Sequence, residues 1–597
     1  MFPHRFEPGR SRRASFAGLL LLGGGLSVLL PGLSSIEVVF RTDARYLEAA
    51  REIFEAGSWG VPTLAGVPHL TKPPLAYWAG AAGYALFGVG PFGGRCASAL
   101  AVLGTALLLY RFARRSLPAE AALVAGAIPV SSLLPFGVAH ALSTDALLTL
   151  AVTGALLALA DAVERRRADR GVVTAAAWLG LAVLAKGPIG PLLVGASWAA
   201  YRLTGGPGLG LRRSTRASAL VALAAIAAPW FLWIEWRFPG TLRWMVGYEF
   251  LGRLDSGGPG HPAPWYALLL YWLGGAFPFS LLLLVVLVRG GPGRTHPGDR
   301  PGWHLLWIAS WLPVLLLSLP SGKLPTYVLP ALPPAALVLA RATASGSLGS
   351  RPARWALGLG FFGVAALAGL LLAGLAAPGH LAERLRAADP SALGRGPLFL
   401  GGAFGIGALS LGAGWRALRR SPDARAVLLL AGLSAGALVL GVLGVGPALR
   451  GHREGAELAR SIRGVQVVHF GTFLPSFLFY FGDVDRTRIA AYRPLGPPHI
   501  PTPRRVRLSA EEGLATMADP QPTLLLAKVG RVGELVERTA GEVVWCGRKH
   551  CLIANPPAAA QLHRSPQPAE TQPGVGRGPA LRGSGGGPSS GAEAGDV

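Results

Sequence analysis

The chain has 597 residues, of which 51% are hydrophobic and 15% are charged. Soluble domains carry about a quarter charged residues, so this composition excludes an ordinary soluble protein and indicates a membrane protein. The formal net charge of +25 would favour nucleic acid binding in a soluble chain. Here the arginines lie mainly in alternate short loops between apolar segments, a distribution that the positive-inside rule explains. We therefore expect no nucleic acid partner.

Apolar segments of about 16 to 25 residues, each near the length of one bilayer crossing, recur along the chain. We count about thirteen of them, which predicts a polytopic α-helical membrane protein. They lie at 16–36, 94–112, 119–137, 141–162, 172–186, 188–203, 218–236, 264–288, 303–319, 324–341, 354–376, 397–418 and 425–447. With the N-terminus inside, the arginine-rich loops are cytoplasmic. The outer segments are then 37–93, 138–141, 237–263, 320–323, 377–396 and all residues after 447.

The first outer segment, Arg41–Trp78, reads RTDARYLEAAREIFEAGSWGVPTLAGVPHLTKPPLAYW and gathers charged and aromatic residues between two apolar segments. The spacing of apolar residues predicts an amphipathic helix over Asp43–Ala56. A charged helix with aromatic edges beside a membrane span is expected to lie in the interface. Periodicity alone leaves two interpretations open, a juxtamembrane packing helix and a functional element.

Charged residues also lie at the outer ends of later spans. Asp145 begins the predicted fourth span, where Ser143 or Thr144 can cap the helix and an acid suits the helix dipole. A charge at membrane depth is costly, so a functional role is the alternative to that structural one. Lys186 lies within LAVLAKGPIG, and Lys323 and Tyr327 lie in the proline-fixed turn SGKLPTY.

The chain contains only five lysines. Three of them, Lys72, Lys186 and Lys323, fall in the predicted membrane part, and all three are outside by this topology. Lysine offers a compact charge on a flexible stem, which suits a phosphate or an acidic partner.

A drop in hydropathy marks the start of a soluble part. We expect a membrane domain at 1–447, an α/β domain at 448–556 and a disordered, Pro- and Gly-rich tail at 557–597. VQVVHF and TLLLAKV read as strands, and GEVVWCGRKHCLIA reads as a hairpin. Cys546 and Cys551 flank its turn and could pair outside the cytoplasm, a question that the sequence leaves open. The DxD at 483–485 is a weak nucleotide-sugar signal.

Together the outer polar residues suggest phosphate binding and general-base catalysis. Cations at a lipid-accessible site suit a lipid phosphate, and a carboxylate beside them can act as a general base for an acceptor hydroxyl. The sequence has no P-loop and no GxGxxG after a strand. The energy source is therefore expected to be an activated lipid rather than a nucleotide.

The segment TDARYLEAAREIFEAGSWGVPTLAGVPHLTKPPLAYW resembles the first outer loop of bacterial ArnT-like and protein O-mannosyltransferase-like glycosyltransferases. The resemblance continues through STDALLTL, LAVLAKGPIG, PWFLWIEWRFPGTLRWMV and SGKLPTYVLPALP, and it covers most of residues 35–345. It implies a GT-C fold with juxtamembrane helices in the first outer loop and an extracytoplasmic C-terminal domain. It also implies inverting transfer of a sugar from a polyprenyl-phosphate (undecaprenyl-phosphate) carrier to an envelope acceptor, namely lipid A, a protein or a glycan, on the outer face of the cytoplasmic membrane.

The resemblance also assigns site residues. Asp43 falls on the family's candidate catalytic acid, and Asp145 falls on its second outer acid. The positions that match its carrier-binding motifs are Arg45, Tyr46, Lys72, Lys186, Arg253, Lys323 and Tyr327.

Two departures from the family's motifs concern a metal site. Aminoarabinose transferases can hold a metal ion with an acid before the loop lysine and a histidine after Glu249. At these two positions this chain has Thr71 and Phe250. We therefore expect no metal and no cofactor, although His69 and His261 are possible replacements. Two other functions stay open: a flippase for lipid-linked saccharide, and a catalytically idle family member that acts as a binding subunit.

Overall fold

A computed structural model provides the structure of the chain. The residues that it describes are 8–38, 41–165, 168–253, 262–290, 301–376, 392–420, 422–445, 453–492, 497–500, 506–547 and 549–564. They form two compact units. Unit 1 contains the described residues up to 445 together with 497–500, and unit 2 contains 453–492 and 506–564.

Unit 1 is almost entirely helical. Its α-helices, numbered here in chain order, are α1 Pro8–Leu29, α2 Arg41–Ala56, α3 Leu75–Phe87, α4 Pro91–Ala113, α5 Ala119–Ser131, α6 Leu133–Ala139, α7 Thr144–Arg165, α8 Ala168–Lys186, α9 Ile189–Leu203, α10 Arg213–Arg237, α11 Thr241–Trp244, α12 Ala267–Gly275, α13 Ser280–Arg289, α14 Pro301–Ala309, α15 Leu312–Leu317, α16 Leu332–Ala344, α17 Arg351–Ala376, α18 Ala392–Arg419 and α19 Ala424–Val445. A two-stranded hairpin, β1 Thr63–Leu64 and β2 Val67–Pro68, follows α2. A π-helical segment spans Met245–Phe250, and short 3-10 turns span Leu251–Arg253, Pro325–Ala331 and Ser347–Gly349.

All thirteen predicted apolar segments contain helix, but they do not all form full-length spans. Among the described residues, 8 helices are long and apolar enough to cross a membrane, or up to 10 if each bent pair counts as one span. The predicted number of about thirteen crossings is therefore not confirmed. Helices α5 and α6 meet at a bend of 60°, and α12 and α13 meet at 114°. The shortfall also reflects α9, with 15 residues, and the break between α14 and α15.

Local signals explain where these helices begin and end. Pro91 starts α4, where a missing N–H costs nothing. Helix α8 ends at Lys186, and Gly187 follows with φ +70° and donates its N–H to the Val183 carbonyl at 2.8 Å. This left-handed glycine before a proline is a common helix stop. It fixes Lys186 at a helix end.

Unit 2 is built on a six-stranded sheet. Its strands are β3 Gln466–Phe470, β4 Thr487–Ala490, β5 Arg507–Leu508, β6 Thr523–Lys528, β7 Glu542–Cys546 and β8 His550–Ala554, and their spatial order is β5-β4-β3-β6-β8-β7. The first four strands in that order run parallel, and β8 pairs antiparallel with both β6 and β7. Its helices are α20 Arg453–Ser461, α21 Pro475–Phe481, α22 Ala510–Ala515, α23 Val532–Thr539 and α24 Pro556–Arg564. A small α/β region at the C-terminal end is thus confirmed.

Three details of unit 2 settle or correct expectations. Cys546 and Cys551 form a disulfide across the β7–β8 hairpin. Helix α24 extends into the region expected to be a disordered tail, because Ala558 and Ala559 are buried against the sheet. In the DxD, the Asp483 carboxylate accepts the Arg486 N–H at 3.0 Å and pairs with the Arg486 guanidinium, so this acid stabilises a turn.

Candidate active site

An ion pair between Asp145 and Lys186 marks the site. Lys186 Nζ lies 2.5 Å from Asp145 Oδ1, and both side chains are largely buried. Helices α7 and α8 are consecutive and antiparallel neighbours, which brings the first turn of α7 and the last residue of α8 to the same end. Each charge suits the dipole of its own helix end. The Ser143 hydroxyl caps α7 by accepting the Asp145 N–H at 3.1 Å.

Two tyrosines complete this cluster. Lys186 Nζ lies 4.8 Å from the centroid of the Tyr327 ring, a cation–π contact from the 3-10 turn before α16. Tyr46, on α2, is 6% exposed, and its hydroxyl shares a hydrogen bond with the Thr144 hydroxyl. Burial raises the pKa of Tyr46, although the charges of Arg45 and Lys186 oppose this effect. Tyr46 therefore remains a neutral phenol whose own O–H can donate.

Arg45 adds a second cation beside Tyr46. Its Nε is buried and has no hydrogen-bond partner among the described residues. A buried guanidinium N–H without a partner is costly in a folded protein. An anion bound at this point would satisfy the Nε donor of Arg45.

Lys72 lies on the segment that joins the hairpin to α3. Its Nζ donates to the Thr71 carbonyl at 2.9 Å, and the Thr71 hydroxyl lies 3.1 Å from His69 Nε2. The His69 ring contacts Tyr77 at 6.1 Å between centroids, and Tyr77 contacts Tyr46 at 5.5 Å. A row of aromatic side chains thus connects the Lys72 segment to the Asp145 cluster.

Asp43 has different surroundings. Its Oδ2 accepts from Arg95 Nη2 at 2.6 Å and from Arg95 Nε at 3.1 Å, and its Oδ1 accepts from the Leu142 N–H at 2.7 Å. Arg95 also donates to the carbonyls of Leu33 and Ile36. Asp43 thus ties α2 and α4 to the turn that precedes Asp145. Sequence reasoning missed Arg95, although an arginine at the start of an apolar helix was a visible signal for a buried ionic partner.

Of the two remaining predicted site residues, Lys323 has other partners than the Asp145 cluster among the described residues, and the Arg253 side chain is not described. Lys323 is buried, and its Nζ donates to the carbonyls of Ala263 and Pro320 at 3.0 and 2.6 Å. This lysine therefore joins two backbone segments. Arg253 ends a 3-10 turn, and its side chain lies outside the described residues, as do the side chains of Glu249 and Phe250.

A second group of charges on α2 is structural. Arg51 pairs with Glu48 at 2.6 Å and also with Glu55. Glu52 accepts from the N–H groups of Ala65 and Gly66 at 2.6 and 3.0 Å and thereby holds the β1–β2 turn, in which both residues have positive φ. Burial and the neighbouring Glu48 carboxylate raise the pKa of Glu52 to about 8, although its hydrogen-bond donors oppose the shift.

The described residues do not provide the ligand set that a metal needs. No group of three His, Cys, Asp or Glu side chains suited to a metal occurs among them. At Thr71 a neutral hydroxyl stands where the resemblance implies an acid, and it is engaged with His69. A neutral hydroxyl is a poor ligand beside carboxylate or imidazole.

Known proteins resemble this chain in sequence and in fold. The family model described as dolichyl-phosphate-mannose-protein mannosyltransferase matches residues 71–233. The undecaprenyl phosphate-alpha-4-amino-4-deoxy-L-arabinose arabinosyl transferase 1 of Pseudomonas fluorescens is 32% identical over 336 residues, which are 54% of this chain and 58% of the relative. The corresponding transferase of Edwardsiella ictaluri is 30% identical over 312 residues, 50% of this chain and 54% of the relative. The chain thus matches little more than half the length of these relatives.

The fold comparison covers more of the chain. The crystal structure of ArnT from Cupriavidus metallidurans bound to undecaprenyl phosphate matches with a TM-score of 0.73 and 21% identity, over 90% of this chain and 97% of that one. This chain resembles these arabinosyl transferases in part of its sequence and the Cupriavidus metallidurans ArnT in its fold. The resemblance drawn from the first outer loop is therefore confirmed, and so is the GT-C fold. The mannosyltransferase family model spans Asp145 and Lys186, whereas Tyr46 and Tyr327 lie outside its range.

Proposed function

We propose that this ArnT-like chain transfers a sugar from a polyprenyl-phosphate carrier to an envelope acceptor, with inversion, on the outer face of the cytoplasmic membrane. The observation that carries the proposal is the cationic cluster of Arg45 and Lys186 around Tyr46 and Asp145. Arg45 supports it most directly, because its buried Nε has no described partner.

The carrier phosphate binds the two cations. Arg45 donates N–H groups to its oxygens, and Lys186 adds a point charge. Fixed charges of this kind stabilise the negative charge that develops on a leaving phosphate. The neutral phenol of Tyr46 donates a further hydrogen bond, and Lys72 approaches from the first outer loop.

Asp145 is the carboxylate best placed to act as the general base. When the carrier phosphate binds, Lys186 exchanges part of its contact with Asp145 for the phosphate, which leaves the carboxylate available for an acceptor hydroxyl. The acceptor proton moves to Asp145, the acceptor oxygen bonds to the anomeric carbon, and the bond from that carbon to the phosphate oxygen breaks. Because both oxygens of Asp43 already accept hydrogen bonds, its surroundings favour a positioning role over the catalytic one implied by the resemblance.

The relatives indicate which donor to test first. Their names specify undecaprenyl phosphate-α-4-amino-4-deoxy-L-arabinose, a pentose donor. Lipid A is the first acceptor to test, and protein and glycan hydroxyls follow. Hexosyl donors on the same carrier belong in the same series.

The test uses the full chain, purified in detergent, with radiolabelled donor and each acceptor. We expect label in the acceptor with the wild type and with Arg416→Ala, an exposed arginine in the last turn of α18. Asp145→Asn is expected to lower the transfer rate about 10²–10⁴-fold, because a general base typically accelerates a reaction by that factor. Donor translocation in proteoliposomes without sugar release would instead identify a flippase. Donor binding with neither process would identify an idle subunit.

A further inference from the structure

The sheet of unit 2 changes its winding direction between β3 and β6. From β3 the chain passes through α21 to β4 and on to β5, and it then returns to β6 on the other side of β3. Phe477 of α21 belongs to the same hydrophobic core as Val467, whereas Leu514 of α22 packs against the core that contains Val468. Val467 and Val468 are successive strand residues, so these two helices cover opposite faces of the sheet. Where connections diverge in this way, a crevice forms beyond the carboxyl ends of the strands, and open α/β sheets bind ligands there.

The register brings polar side chains to this edge. Lys528, the last residue of β6, pairs with His550, the first residue of β8. Thr472 follows β3, and its Oγ1 lies 3.4 Å from His550 Nε2. Both Thr472 and His550 are buried. The Thr472 hydroxyl and the His550 imidazole therefore meet beside the carboxyl end of β6, where they form the floor of the crevice.

Gly471 and Arg531 form the neighbouring part of the edge. Gly471 has φ +61°, and a Cβ at this position would lie 3.1 Å from Arg531 Nη1. The guanidinium lies over the Phe470 ring, 5.2 Å from its centroid. Glycine at 471 thus allows the guanidinium to lie close to the loop backbone. Arg531 also pairs with the half-exposed Glu534 at 3.3 Å, a solvent-screened contact that a more highly charged ligand can replace.

Two of the five lysines of the chain lie at this edge. Lys528 and Lys549 are both exposed, and the Lys549 carbonyl accepts the Val529 N–H at 2.9 Å. That bond holds the β7–β8 turn against the loop that follows β6. The disulfide between Cys546 and Cys551 closes the same hairpin. The cations are therefore carried by two loops that are fixed relative to each other.

We propose that this edge is a binding site for a phosphoryl group, in which Thr472 and His550 form the floor and Lys528 and Arg531 supply the charge. Lysine and arginine are the side chains that bind phosphate oxygens most strongly. A soluble phosphate ester and a lipid headgroup share this chemistry. The site lies within unit 2, and the proposal does not depend on the proposed transfer activity.

The test measures phosphate binding to the full chain, purified in detergent, by isothermal titration with inorganic phosphate and with glycerol 3-phosphate. A second arm measures binding of labelled phosphatidic acid to the chain in nanodiscs of phosphatidylcholine. Both arms are repeated in a Lys186→Met background, which removes a cation of the membrane site and leaves this edge intact. Saturable binding in the first arm indicates a soluble ester, and binding in the second arm alone indicates a lipid headgroup.

Variants locate the binding. We expect Lys528→Ala and Thr472→Val each to weaken it about tenfold, the effect of losing one charge-assisted or buried hydrogen bond. Arg463→Ala is the matched control, because this exposed arginine precedes β3 at the opposite edge of the sheet, and it should bind like the wild type. Unchanged unfolding temperatures show that the variants are folded. Absence of saturable binding in both arms, or equal binding by Lys528→Ala and the wild type, overturns the proposal.

Discussion

The carboxylate of Asp43 lies 2.6 Å from Nη2 of Arg95, and neither side chain is exposed to solvent. This ion pair links α2 to α4. The second oxygen of Asp43 accepts a hydrogen bond from the backbone N–H of Leu142, three residues before Asp145. The acid that matches the most specific sequence motif is thus tied to the protein on both oxygens. The acid that faces the cations of the site is Asp145.

The first prediction separates catalysis from positioning at Asp43. Asp43→Asn leaves Arg95 buried without its counter-charge, a change that typically costs about 3–5 kcal/mol. We expect this variant to lose both transfer and thermal stability. The double variant Asp43→Asn, Arg95→Met removes the unpaired charge and should recover the unfolding temperature and part of the transfer rate. A double variant that is stable but has no transfer activity would show that the Asp43 carboxylate itself is the base.

The second prediction concerns the pair of Lys186 and Asp145. Lys186→Met removes a cation of the proposed phosphate site, so donor binding should weaken and the unfolding temperature should fall, because Asp145 stays buried opposite an apolar side chain. Arg425→Ala is the control, since its pair with Glu120 is exposed on both sides and should change neither quantity. Donor binding by Lys186→Met at the wild-type affinity would remove Lys186 from the site.

The third prediction concerns metal. At the two positions where the family resemblance implies metal ligands, this chain has Thr71 and Phe250. We therefore expect transfer to survive dialysis against a chelator and to be unaffected by added zinc, magnesium or manganese. The measurement is the transfer rate before and after dialysis. Loss of the rate on chelation and its recovery with one metal would point to His69, Glu249 or His261 as ligands.

The fourth prediction concerns pH and Glu52. Its pKa is raised from 4.5 to about 8 in the folded chain, so the folded state holds this proton more tightly than the unfolded state. The resulting stabilisation is complete below pH 4.5 and is lost as the pH rises towards 8. The unfolding temperature should fall across this window, and Glu52→Gln should flatten the slope. Glu55→Gln, one turn away on the same helix and half exposed, should keep the wild-type slope.

The fifth prediction concerns topology. With thirteen crossings, the positive-inside rule predicts that the first outer segment and unit 2 lie on the outer face. In a Cys96→Ala background, Ser58→Cys and Ser461→Cys should react with an impermeant thiol reagent in intact spheroplasts. Ser116→Cys, in an exposed turn beside arginines, should react only after lysis. Protection of Ser58→Cys before lysis would contradict the proposed location of the active site.

The sequence by itself determined the class of the protein and the elements that carry its site. Apolar segments specify membrane helices because an exposed backbone cannot be satisfied in lipid. Helix signals placed Asp145 at the start of α7 and Lys186 at the end of α8, and the first-loop motif identified the ArnT-like fold. These features are local in the chain, or they are motifs long enough to be specific.

The tertiary structure decided which charges meet. Arg95 lies 52 positions after Asp43, and Lys186 lies 41 positions after Asp145, so no local pattern could pair them. Lys323 matched a site motif and yet binds backbone carbonyls, because its turn packs against the segment at Ala263. The number of full spans also depended on bends at prolines and glycines, where packing in three dimensions sets the angle. Buried charges are costly unless they are paired, and only the folded chain shows how each one is paired.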